Sequence, residues 1–215
     1  RHRKFFMANN YEFIIAGLPM MALDFESREF RMDELAGSIR QMVSQKDNRL
    51  IDWLFFGLEA KNMNPHFYRA ARKCKDSFIK GYYAFDWEIR NIIAAYNARE
   101  YGHNIVTNLV GRSELTDALV SSKAENFDLD SVSEYSAVLH KIMQLKNPLE
   151  REQQIDKLRW DTALQLTTFH YFDIDVILAF LLKASIVSRW AKLDKETGSR
   201  LFKELVQEVK GTYKA

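Results

Sequence analysis

The chain has 215 residues, 47% of them hydrophobic and 28% charged, with a formal net charge of +2. This is the balance of an ordinary protein with a sizeable core, and so small a charge surplus gives no nucleic-acid footprint. The single cysteine, Cys74, excludes an internal disulfide framework and a cysteine zinc cluster, and 8 Gly and 3 Pro are too few for the many turns of a sandwich or barrel.

The first residues, RHRKFF, run into polar ANN rather than the apolar core of a signal peptide. Met7 reads as a natural start. Residues 1–6 are therefore expected to be an extension, non-native or disordered, ahead of a single helical domain over 7–215. In YEFIIAGLPM, Tyr11, Phe13 and Ile15 alternate with Glu12 and Ile14, which predicts a short extended segment closed by Gly17 and Pro19. Helical spacing then takes over. Leu35, Ile39, Met42 and Val43 share a face. Asp47 is a candidate cap for a helix facing inward through Leu50, Ile51, Leu54, Phe55 and Leu58.

Asn64-Pro65 is a helix-start signal, because Asn caps and proline's missing N–H costs nothing at the first helical position. Phe67, Ala71, Cys74 and Phe78 predict one face, with Gly81 ending or bending that helix. Phe85, Ile89, Ile92, Ile93 and Tyr96 predict a second amphipathic helix that stops near Gly102. Gly111 is placed at a turn, Ser113 at a cap and AENFDLDS in a loop. Ser131 and Glu134 form a capping-box pattern, and Asn147-Pro148 repeats the start signal. The helix after it is expected to face inward through Ile155, Leu158, Thr162, Leu166 and Phe169. FDIDVILAFLLKASIVSRW and KETGSRLFKELVQEVKG supply the last two segments. The longest apolar run, Val176 to Leu182, falls well short of the roughly 20 residues that cross a bilayer. The expectation is an all-α, compact multi-helix body.

Asp86 and Glu88 stand two apart and cannot share a helix face, so they are not expected to form a catalytic dyad. They are placed instead near a helix start, where negative charge suits the dipole, with Asp86 and Arg90 as an i,i+4 pair; Asp173 and Asp175 are given the same role. Glu100-x-x-His103 is half of a di-iron signature, without the second copy that a bundle site needs. His2, His66, His140 and His170 show no ligand spacing, and Cys74 reads as core packing. Arg69, Arg72, Lys73 and Lys75, beside Tyr68, form a basic run that reads as a solvated helix face. Arg159-Trp160 and Arg189-Trp190 are candidate interface residues, since both types are enriched there, and equally what the edge of a helical core looks like. No phosphate-cradling or nucleophile-elbow motif is present. The expectation is no catalytic residue, no metal, no cofactor, no small-molecule substrate and no nucleic acid. Aligning Phe85 with Phe172 pairs Phe-Asp with Phe-Asp and suggests two related units, about 7–108 and 109–215.

FDWEIRNIIAAYNARE, followed by NLVGRSELTDALVSS, resembles the C-type subunit of the archaeal and bacterial V-type rotary ATPases, known as the d-type in eukaryotes. Asp86, Glu88, Asn91 and Arg99 fall on its first motif, and Gly111, Ser113 and Leu115 on its second. With YEFIIAGLP, the block looks still more like a bacterial family of unknown function whose genes lie in V-type ATPase operons. The lysine of the C-type motif is absent, Ala98-Arg99 standing near its place, and one glycine is left at the turn. Proteins of the C-type are funnels of three helical units, and this chain has room for about two. The resemblance implies a non-catalytic rotor adaptor between the central stalk and the membrane proteolipid ring. That role would place it in the cytoplasm, held peripherally at the inner membrane by the ATPase. The alternative is a helical scaffold or regulator unrelated to rotary ATPases.

Overall fold

Local caps and buried faces set where each helix of this protein begins and which way it turns. The computed structural model describes residues 10–23, 25 and 32–192. The extension over 1–6 and the segment expected over 195–211 lie outside the described residues. Those that are described form α1 (Glu12–Ala16), α2 (Met32–Met42), α3 (Gln45–Leu58), a 3-10 turn (Ala60–Asn62), α4 (Pro65–Ala71) and α5 (Ser77–Glu100). They continue as α6 (Ile105–Asn108), α7 (Glu114–Ser121), α8 (Ser136–Met143), α9 (Pro148–Leu166) and α10 (Ile174–Ala191). The all-α expectation holds, with no strand among the described residues.

The Asn-Pro starts behave as the sequence predicts. Asn64 accepts from the N–H groups of His66 and Phe67, and Asn147 from that of Leu149, each with proline at the first helical position. Ser113 caps α7 in a capping box with Thr116. Gly102, at φ +69°, ends α5 in a left-handed turn, and the His103 N–H returns to the Ala98 carbonyl at 2.7 Å.

Five expectations are corrected. The segment at Tyr11–Ile15 is helical, because α1 satisfies its own backbone and buries Ile14 where an isolated strand would have no partner. Ser44, not Asp47, caps α3; Asp47 sits in the first turn and accepts from Ser44 Oγ at 2.9 Å and from the Tyr11 hydroxyl at 2.5 Å. The helix starting at Pro65 stops at Ala71, and α5 starts under a new cap, Asp76, running straight through Gly81. α8 starts at Ser136 without a side-chain cap, so Ser131 and Glu134 form no capping box. α9 ends at Leu166, which leaves Phe169 exposed.

The 24 residues of α5 make a rod about 36 Å long at ~1.5 Å per residue. It touches α3, α4 and α6 to α10. One hydrophobic core runs from Tyr11 to Ala184 through Phe78, Ile79, Tyr82, Ile89 and Ile92 of α5, and so crosses the boundary suggested between two units. Phe85 is buried within α5, whereas Phe172 precedes α10 and is half exposed. Their alignment does not pair like with like. α3 approaches α4 and α5 at Gly57, where a Cβ would lie 2.3 Å from the Tyr83 ring and 2.4 Å from the Phe67 ring. No helix among the described residues is long and apolar enough to cross a membrane.

Candidate functional site

Because α5 continues past Gly81, Asp86 lies in the middle of the rod rather than near its start, and it is 1% exposed. A carboxylate so placed needs partners. Tyr68 of α4 donates to Asp86 Oδ2 at 2.7 Å, and Arg90, one turn on, donates from Nε to the same oxygen at 2.6 Å. Burial, with Asp86 beside it, pushes the Tyr68 hydroxyl pKa upward, so Tyr68 stays a donor.

A second buried carboxylate, Asp156 of α9, organises the facing helices. It accepts from Arg159 Nη1 at 2.9 Å, from Trp190 Nε1 at 2.7 Å and from Arg189 Nη2. Arg189 also reaches Glu152 at 3.5 Å. Burial works to lower the Arg159 pKa, but Tyr82, Asp86 and Asp156 raise it and the net direction is upward. The Asp86 and Asp156 centres thus share Arg159 electrostatically. A cavity of about 540 Å³ opens beside them, lined by Arg90, Arg159, Arg189, Asn97, Glu152 and Met63 among others. A smaller one of about 180 Å³ reaches Tyr82 and Asp156. Chemically this arrangement ties α4, α5, α9 and α10 together through buried charge.

The four candidate interface residues converge here, at the edge of the core. Trp160 and Trp190 are 7% and 6% exposed and pack with Ile186 and Val187, while the Phe25 ring meets Trp190 edge-on at 5.0 Å. Arg159 is held on Asp156, and of the four only Arg189 keeps a large exposed share. The i,i+3 spacing of Asp156 and Arg159 was the sequence signal for this centre, but their meeting with Arg189 and Trp190 is a contact more than 30 positions long.

The remaining motif residues build a clamp on α5. The Asn91 side chain takes the Val110 N–H at 2.7 Å and gives to the Val110 carbonyl at 3.3 Å and to the Trp87 carbonyl at 2.8 Å. Trp87 Nε1 donates to the same Val110 carbonyl at 2.6 Å. The next residue, Gly111, has φ +83°, which favours glycine. Arg99 donates to the Ser122 carbonyl at 3.0 Å and to the Ala124 carbonyl, and its guanidinium lies 3.5 Å from the centre of the buried Phe127 ring. Glu88 is half-buried; burial and Glu134 raise its pKa against a Ser133 hydrogen bond that lowers it.

At the far end of α5, His170 Nδ1 lies 2.6 Å from Asp173 Oδ2 and 3.6 Å from Asp175 Oδ2. One ligand atom from each of the three lies within 4.8 Å of the others, so they have the donors to hold a divalent cation. The spacing His170-x-x-Asp173-x-Asp175 was the signal missed in the sequence. Asp173 caps α10 as expected of its position, and Asp175 accepts from Ser77 Oγ at 2.5 Å. Burial, with Asp175 beside it, pushes the neighbouring Asp76 carboxyl up to about 7. The Asp173 hydrogen bond raises His170. Glu100 and His103 do not form a site: Glu100 accepts from Arg151 at 3.3 Å and His103 lies past the Gly102 turn, exposed.

Against known proteins, the model of a family described as a protein of unknown function, DUF2764, matches residues 60–212. No curated protein and no solved structure matches the chain.

Proposed function

The chain belongs to the DUF2764 family of unknown function, and from that premise we propose that it is a non-catalytic part of a V-type rotary ATPase, of the C-type. In this reading it couples the central stalk to the membrane proteolipid ring from the cytoplasmic face. The observation that carries the proposal is the clamp between the two stretches that resemble the C-type sequence. Asn91 and Trp87 of the first both hold Val110, and Gly111 and Ser113 of the second follow at once. The resembling residues therefore act as one structural unit, which is what a shared fold element requires.

A coupling part works by fit and stiffness. α5 is a long rod packed along its length, the Asp86 centre ties α4 to it, and the Asp156 centre ties α9 to α10. In this reading the two buried carboxylates fix how the helices pack, a use suited to a torque-bearing body.

The test is to delete the gene and purify the membrane complex. We expect loss of the stalk-to-ring connection, with ATP hydrolysis continuing but uncoupled from ion transport, and recovery of stalk or ring proteins with the tagged chain. Normal assembly of a coupled complex without this protein would refute the proposal.

A further inference from the structure

Arg40, Arg90, Arg151, Arg159 and Arg189 each have a carboxylate partner, and Arg99 binds backbone carbonyls. Among the described arginines without such an acceptor, three share one pocket: Arg69 of α4, Arg72 at its C-terminal cap, and Arg112 beside Gly111. No carboxylate lines it. Its floor is Trp87, whose indole is fixed on the Val110 carbonyl, and the Arg72 guanidinium lies 4.3 Å from the Trp87 ring centre. Tyr68, already engaged by Asp86, forms another wall.

Three arginines line this pocket with no carboxylate among its lining residues, and guanidinium forks match the oxygens of a phosphate. Arg69 stands on α4 and Arg112 on the turn after Val110, which Asn91 and Trp87 hold. Three positive charges suit a phosphate dianion better than a single carboxylate. The pocket holds about 240 Å³. That is below the roughly 300–1,000 Å³ of sites that take drug-sized ligands, so it admits a phosphate group and little more.

We propose that the pocket between α4, α5 and the Gly111 turn is a binding site for a phosphate group. The source is either a free phosphate compound or a lipid headgroup, and the two are separable. The full chain is titrated calorimetrically with inorganic phosphate and with pyrophosphate, against sodium chloride at matched ionic strength. It is also sedimented with phosphatidylcholine vesicles with and without phosphatidylglycerol. All three arginines are exposed, so Arg69→Gln with Arg112→Gln leaves the circular dichroism spectrum unchanged. Saturable phosphate binding weakened at least about tenfold in that double variant supports a free ligand. Sedimentation with the anionic vesicles alone, lost in the same variant, supports a headgroup. Absence of both, binding indifferent to the double variant, or binding of a single-stranded oligonucleotide in place of either would overturn the site.

Discussion

Asp156, only 1% exposed, accepts from three donors on two helices. Replacing it by alanine strands the largely buried Arg159 charge and the Trp190 N–H together. Breaking a buried pair from one side costs about 3–5 kcal/mol, so Asp156→Ala is expected to lower stability by that amount in a urea titration. The Trp190 fluorescence should shift at the same time. Asn91→Ala removes the acceptor for the Val110 N–H and a donor to its carbonyl, and an expected loss of about 1–3 kcal/mol follows from orphaned backbone groups. The residues of both centres were partly visible in the sequence. Arg159, Arg189 and Trp190 stood out by type, but type alone left an interface and a core edge equally open. What turned them inward is a carboxylate whose partners lie on another helix, and residue type does not carry that information.

At the scale of helices, signals that act within one turn were legible and those that act across helices were not. Asn64-Pro65, Asn147-Pro148 and Ser113 sit where their hydrogen bonds predicted. Gly81 did not end a helix, because its missing side chain serves packing: a Cβ there would lie 2.8 Å from Leu166 Cδ2 of α9. Without that contact in view, local pattern cuts α5 in two and puts Asp86 at a helix start. Gly57 has the same use under harsher constraint, since both its close neighbours are ring atoms of buried side chains. Overpacking at such a point costs about 1–3 kcal/mol, so Gly57→Ala should lower the midpoint of thermal unfolding measurably. Gly37→Ala, in α2 with open space around it, should raise or preserve it.

Across the whole molecule, stability should depend on pH through the end of α5. Asp76 moves from an ordinary value of 3.8 up to about 7 in the fold, so folding favours its protonated form. That contribution is full below about 3.8 and is lost as pH rises through about 7. His170 is raised above 6.5, so its contribution is full below 6.5 and is lost as pH climbs past its raised value. Both groups act in the same direction. The unfolding temperature should therefore fall as pH rises from about 5 to about 8, and Asp76→Asn, which keeps the cap to Ile79, should flatten that slope. The Tyr11 N–H bonds the Phe172 carbonyl at 2.6 Å, while the Tyr11 hydroxyl grips Asp47. During synthesis, then, α1 can meet the start of α3 early, but its bond to the α9–α10 connection closes only once that connection has left the ribosome.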